Sequence, residues 1–341
     1  MHAFACGQCR RLPKAELHAH LHGCARLSTI AELAPAGVDT STLLLQNNDH
    51  RSLSECFAIF AAIHQTVTSL AAVRRIAREV LDDFAADNVQ YLELRTTPRA
   101  LKDADVESYV RAVIAELAAH ESRCPSMTVR LLLSIDRTGG LERALETVML
   151  AARLRSEDGG LASKYIVGID FSGNPTKGSF GDYLPAFKLA REQCGLRIAV
   201  HAGEVDHAAD TASILAFRPD RLGHALLLGE SAFASLKADP IPIELCPTSN
   251  RLTLRLERMS KHPTMAMLLS RAYPVSISTD DSGVFGTTAS EELALAAETC
   301  LLTPAQVAAL AAAPLEHAFE LDLAGLRASF AREAQRLLAP H

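Results

Sequence analysis

The chain has 341 residues, of which 48% are hydrophobic and 22% charged, with a formal net charge of −6 at pH 7. That acidic balance argues against a nucleic-acid binder and against docking on an anionic membrane surface. No apolar run reaches the roughly 18 residues of a membrane span, and the opening MHAFACGQCRR lacks the apolar segment of a secretory signal, so a cytoplasmic protein is expected.

Residues 1–11 read as a flexible tail and 12–341 as one domain. Cys6 and Cys9 form a lone CxxC with no second pair to complete a zinc or redox site. The eight cysteines are scattered, mostly in apolar contexts, and read as reduced buried thiols. The first strand is AELHAHL (15–21). A helical insertion over 22–88 follows, with LSECFAIFAAIHQTV (53–67) and AAVRRIAREVLDDFAAD (71–87) as its helices. Seven further apolar runs come after it: VQYLELRTT (89–97), VRLLLSID (129–136), YIVGIDFSG (165–173), LRIAVHAGE (196–204), RLGHALLL (221–228), IPIELCPTS (241–249) and YPVSISTDD (273–281). They are near-continuous rather than alternating, as parallel strands buried on both faces should be. Amphipathic helices separate them, among them VESYVRAVIAELAAHE (106–121) and GDYLPAFKLAREQCG (181–195), and Thr303-Pro304 marks a later helix start. Strand and helix alternate eight times within one composition class. The pattern predicts an α/β fold, a single (β/α)8 TIM barrel with a helical insertion after the first strand.

The chemically capable residues collect at the C-terminal ends of these strands, where barrel enzymes build their sites. His18, His20 and His22 end the first strand, Thr96, Thr97 and Arg99 the second, Asp136 and Arg137 the third, and Asp170, Ser172 and Gly173 the fourth. His201 and Glu204 end the fifth, His224 lies in the sixth, Thr248, Ser249 and Asn250 end the seventh, and Asp280 and Asp281 the eighth. Residues i and i+2 of a strand share a face, so His18 and His20 point together into the barrel mouth. Two neighbouring imidazoles in an apolar interior are best satisfied, both neutral, by a divalent metal. His18, His20, His201 and Asp280 supply three nitrogens and one oxygen, a set suited to one catalytic Zn2+ per chain. The fourth strand ends in GIDFSGNP, without the lysine that would bridge a second metal. His224 is left free to contact the metal-bound water. Glu204, three residues after a ligand, is placed as a proton donor whose pKa a dry cleft would raise. Asp281 is left facing the ligand.

LPKAELHAHLHG, HAGE, the GH at 223–224 and STDD together resemble the adenosine/AMP deaminase family of zinc barrels, in order and over nearly the whole chain. LSECFAIFAAIHQT, YLELRTTPRA, SIDRTGG, ELCPTSN and STDDSGVFGT resemble its adenosine deaminase-like branch, which acts on N6-methyl-AMP. The resemblance implies that His18, His20, His201 and Asp280 hold zinc. It implies that His224 orients the hydroxide and takes its proton, and that Glu204 protonates purine N1. Asp281 would accept a hydrogen bond at N7, and the Gly173 backbone would contact N3. Hydroxide would attack C6, expel an amine and leave a 6-oxo purine. The HxE and PCxxC signature of the cytidine-type deaminases is absent.

A 5′-phosphate on the substrate needs donors at the mouth, and Thr96, Thr97, Arg99, His64 and Arg137 are the candidates. Residue 22 departs from the pattern: it is His where the nucleoside branch carries Asp and the nucleotide branch Asn. An Asp would repel a phosphate and His22 would not. HAGE itself looks more like the plain adenosine deaminases. The expected function is hydrolysis of N6-methyl-AMP and other N6-substituted AMP to IMP and an alkylamine, by a monomer acting on a small-molecule purine nucleotide. The alternatives are an adenosine deaminase and, in another class, a non-catalytic purine-binding zinc barrel.

Overall fold

A computed structural model describes residues 6–35, 53–157, 160–320 and 322–338 of the chain. Eight strands run in parallel, each beside its sequence neighbours: β1 (Lys14–His20), β2 (Val89–Thr96), β3 (Thr128–Asp136), β4 (Ile166–Ser172), β5 (Arg197–Ala202), β6 (Arg221–His224), β7 (Ile243–Leu245) and β8 (Val275–Ile277). The ring closes just past β8, where Asp280 N donates to His18 O (2.8 Å) and His20 N donates to Asp280 O (3.1 Å). The predicted (β/α)8 barrel is therefore the fold.

Both faces of the strands are covered, as their near-continuous apolar runs require. β3 is buried at every residue between its two ends. The helix Leu70–Ala86 buries Val73, Ile76, Ala77, Val80, Leu81 and Phe84, a stripe spaced by three and four. Each of the larger side chains among them contributes about 1.5–3 kcal/mol when fully buried. Ser69 caps that helix by accepting from Ala72 N, and Asp105 does the same for Val106–Arg123 through Ser108 N. Thr303 starts the helix Pro304–Ala312 in a capping box with Gln306.

Three expectations differ in detail. β6, β7 and β8 are shorter than their apolar runs, because His224, Ala225 and Asp280 take positive φ and Pro247 begins a helix, Pro247–Thr253. The single helix expected over 181–195 is a 3-10 turn (Phe180–Tyr183), a short α-helix (Leu184–Lys188) and a π turn (Leu189–Gln193), with Pro185 at the first junction unable to donate a backbone bond. The stretch expected as a flexible tail is helical from Cys6 to Arg11, with Cys9 buried. Lys14 Nζ secures its end by donating to Cys9 O (3.1 Å) and Leu12 O (2.8 Å). Of the insertion, the helices Leu27–Leu33, Leu53–Thr66 and Leu70–Ala86 are described, whereas 36–52 lie outside the described residues. Among the described residues no helix is long and apolar enough to cross a membrane.

Candidate active site

The side chains gathered by the strand ends meet at one point. His20 Nε2 lies 3.3 Å from His18 Nε2 and 3.2 Å from His201 Nε2, and Asp280 Oδ1 lies 3.5 Å from the Nε2 atoms of both His18 and His20. His224 also reaches the cluster, its Nε2 4.0 Å from Asp280 Oδ2. Compared by mutual distance alone, His18, His201, His224 and Asp280 also form a compact set. The 3.2–3.5 Å spacings favour His20 as the third nitrogen, with His224 at the edge. Strained backbone delivers two of these groups: Asp280 has φ +60° and His224 φ +61°. Such conformations cost about 1–3 kcal/mol each and persist only where their surroundings fix them. Asp280 is fixed by the two bonds that close the barrel. At Gly223 an added Cβ would stand 2.9 Å from the His18 ring, so the glycine makes room for that imidazole.

Beneath the cluster lies a buried ionic layer. His18 Nδ1 donates to Glu244 Oε2 (2.7 Å), and His201 Nδ1 faces Asp170 Oδ1 at 3.2 Å. Arg95 bridges the two carboxylates, with Nη1 2.8 Å from Asp170 and Nη2 2.5 Å from Glu244. Arg221 donates to Glu244 (2.5 Å) and to Glu93. Burial opposes ionisation of Glu244, but the Arg95 and Arg221 charges hold its carboxyl well below the usual range. With Nδ1 committed to the carboxylate below, a neutral His18 presents a bare Nε2 to the other ligand atoms. Burial and Arg95 disfavour a charged His18, yet its bonds to Asp280 and Glu244 push its pKa up to about 9. Burial pushes His20 down to about 3. Lone pairs and a carboxylate crowded this closely demand a positive charge among them, and a divalent cation fits that donor set.

A cavity of about 310 Å³ opens onto the cluster. Glu204, His224, Asp281 and Gly173 all line it. Burial raises the Glu204 carboxyl above its ordinary pKa, opposed by His201 and Arg137. Burial, with the charges of Asp280 and Glu204, pushes Asp281 well above the carboxylate range. That shift favours the protonated carboxyl, whose O–H can donate as well as accept. Gly23 is packed so closely against Asp281 that a Cβ there would overlap the carboxyl group. Gly173 has φ +98°, and a Cβ would clash with Asp136.

The residues expected at the 5′ end are divided. His22 and His64 line the cavity with their rings edge to face at 5.2 Å, and Thr96 and Thr97 line it too. Thr96 Oγ1, however, is bonded to the Tyr109 hydroxyl. Arg99, Thr97 and His64 lead into an adjoining cavity of about 230 Å³ that also holds Thr138 and Arg143. Arg137 does not line the main cavity. It is buried behind Glu204, bonded to Asp210 (3.3 Å) and stacked over Phe171. Sequence reasoning passed over Arg143, although TGGLER after β3, a glycine-rich helix start with a cation in its first turn, carried that signal. It also gave no role to Arg95 and Glu244, which sit within strands rather than at their ends, or to Ser249, which donates to Asp280 Oδ2 at 2.6 Å.

Comparison with known proteins agrees with this geometry. The family model described as adenosine deaminase matches residues 13–324. The N6-mAMP deaminase of Arabidopsis thaliana is 38% identical over 340 residues, covering 91% of this chain and 93% of that one. Arabidopsis ADAL complexed with GMP superposes with a TM-score of 0.87 at 37% identity, over 98% of this chain and all of that one (100%). The complex of the same protein with IMP gives 0.84 at 36%, over 96% and 97%. Strand order, the His and Asp cluster and these relatives agree, and the chain belongs to the adenosine deaminase family.

Proposed function

We propose that this chain is a zinc-dependent deaminase that hydrolyses N6-methyl-AMP to IMP and methylamine. The observation that carries the reading is one cavity with two chemically distinct ends. At its floor the four-ligand cluster stands beside Glu204, and at its rim His22, His64 and Thr97 lead to Arg99. The relatives named for N6-mAMP and the structures with IMP and GMP support the same substrate class.

His18, His20, His201 and Asp280 would hold the zinc, which as a Lewis acid makes hydroxide available near pH 7. The remaining chemistry belongs to the chain. Glu204, its pKa raised by burial, carries a proton to purine N1 and so weakens the ring's resistance to attack at C6. Asp281, protonated, donates to N7, a lone-pair acceptor in a neutral purine. Gly173 offers its backbone to N3 without a side chain in the way. His224 turns Nε2 toward the gap between Glu204 and Asp280, 4.0 Å from each, where the bond to C6 is made and broken. At the rim, Arg99 and Arg143 supply charge, and Thr97 and Thr138 hydroxyls, to a 5′-phosphate.

The test is a side-by-side assay of N6-methyl-AMP, AMP and adenosine, with methylamine and ammonia quantified separately. N6-methyl-AMP should have the highest kcat/KM and release methylamine. Faster turnover of adenosine would replace this reading with that of a nucleoside deaminase.

A further inference from the structure

Behind His224 runs a chain of hydrogen bonds whose direction is fixed from one end. The backbone N–H groups of Thr264 (3.3 Å) and Met265 (3.1 Å) both donate to His262 Nδ1. That nitrogen therefore carries no hydrogen, and His262, pushed down to about 4 by burial, is neutral with its hydrogen on Nε2. His262 Nε2 lies 3.2 Å from Asn250 Oδ1 and donates to it. Cys246 N donates to the same oxygen (3.3 Å), which independently fixes which end of the Asn250 amide is oxygen. The amide nitrogen is left facing His224 Nδ1 at 2.9 Å, and an amide nitrogen only donates. His224 Nδ1 must therefore be an acceptor, so the ring's single hydrogen is on Nε2, the atom turned into the cavity.

We propose that Asn250 and His262 are positioning residues that lock His224 in its Nε2–H tautomer, so that His224 meets the reacting oxygen as a hydrogen-bond donor and not as the base that removes its proton. This rests on the deaminase reading above. It alters one step of what the family resemblance implied. The attacking oxygen enters as hydroxide, its proton already released to solvent. As the O–C6 bond forms, the C6–N1 π pair moves onto N1 and takes up the Glu204 proton, leaving a neutral hydroxyl on C6. The hydroxyl proton then passes to N6, the Nε2–H of His224 stabilises the charge that gathers on the oxygen as that proton departs, the C6–N6 bond breaks to release methylamine, and Glu204 regains a proton from solvent. One water is consumed and no base is needed at His224. The burial of the relay, with His262, Asn250 and His224 all nearly inaccessible, keeps water from offering Nδ1 a different partner.

The test uses the zinc-loaded full chain labelled with 15N-histidine, read by NMR without substrate, together with steady-state kinetics on N6-methyl-AMP. Wild type should carry the His224 hydrogen on Nε2. Asn250→Asp presents only acceptors to Nδ1 and should move the hydrogen there, with kcat falling about 100-fold or more, the cost of losing one such donor, and KM little changed. His262→Gln can accept from the backbone and donate to Asn250, so it should retain both tautomer and rate. His262→Leu leaves Cys246 N alone to hold the Asn250 amide, so it should lower the Nε2–H population and the rate partway. A hydrogen on Nδ1 in the wild type, undiminished kcat in Asn250→Asp, or full activity in His262→Leu would each overturn the proposal. A wild type that shows Nε2–H but turns over no purine would leave the tautomer standing and remove the deaminase reading instead.

Discussion

Arg99 Nη2 lies 2.8 Å from His22 Nε2, and because a guanidinium has no acceptor, the imidazole accepts and is neutral. Burial, reinforced by the nearby Arg99 and His64, holds His22 well below its ordinary pKa. The ring stacks parallel to Tyr109 at 6.2 Å, and Arg99 is steadied by a second bond to Val67 O (3.0 Å). A neutral residue at position 22 aims the guanidinium without cancelling its charge. A carboxylate there would pair with it.

That arrangement makes the 5′ end separable from the chemistry. Arg99→Ala should raise KM for N6-methyl-AMP about 10- to 100-fold, the value of a charged hydrogen bond of roughly 1.5–3 kcal/mol, and leave N6-methyladenosine unaffected. His22→Asp should shift preference the same way by neutralising Arg99. Comparing kcat/KM for nucleotide and nucleoside checks both, and equal losses on the two substrates would mean that Arg99 serves folding instead.

Gly23 and Asp281 offer a steric test. Since a Cβ at residue 23 would overlap the Asp281 carboxyl, Gly23→Ala should turn that side chain out of the cavity. Deaminase kcat should fall strongly while zinc content, measured by elemental analysis, stays at the wild-type level. Unchanged kcat would show that Asp281 has no part in holding the base.

Much of this was legible in the sequence because a parallel barrel converts strand ends into one rim. HAH on β1, HAGE at the end of β5, GH on β6 and STDD after β8 lie far apart in the chain, and the fold alone brings them together. What escaped was of two kinds. Arg95, Glu244 and Arg221 look like polar interruptions of buried strands, and only the closed barrel reveals that they pair with one another and with Asp170 and Glu93 beneath the cluster. The upward push on the Asp281 pKa depends on how near Asp280 and Glu204 come, which spacing in a chain does not report. Arg137 went the other way, a strand-end cation that the fold spends on Asp210.

Glu204→Gln should keep the metal and lose turnover by about 10²- to 10⁴-fold, the usual contribution of a positioned acid. Because the donor must be protonated, kcat/KM of the wild type should fall as pH rises through the raised Glu204 pKa. Zinc content with single-turnover rates decides the matter, and near-normal rates in the variant would remove Glu204 as the proton donor.

Glu292 gives stability its own pH dependence. It is fully buried, accepts from Thr248 N (2.9 Å) and Thr287 Oγ1 (2.6 Å), and is pushed up from 4.5 to about 7 chiefly by burial. Between those values the folded state holds a proton that the unfolded chain has lost, so stability declines as pH rises across the window, by roughly 3 kcal/mol at most. Urea unfolding from pH 4.5 to 7.5 should show a shallower decline for Glu292→Gln than for wild type. Parallel curves would mean that Glu292 is ionised throughout.

Arg95 joins the two carboxylates on which His18 and His201 rest, and its loss should be felt at the metal as well as in the fold. Arg95→Met keeps the stem but leaves Asp170 without its cation and Glu244 with Arg221 alone. Breaking a buried ion pair in this way costs about 3–5 kcal/mol, because a charge remains in the interior uncompensated. Relief would come by protonating Asp170, which then no longer holds the His201 ring with Nε2 bare. Zinc affinity, measured by chelator competition on the full chain, should drop about 10- to 100-fold, as when the partner of a ligating imidazole is removed. Arg95→Lys restores a charge but not the fork, since a single ammonium does not reproduce the planar bridge from Asp170 to Glu244. It should therefore recover more of the unfolding free energy than of the zinc affinity. If both variants bind zinc as tightly as wild type, the layer beneath the ligands serves the fold alone.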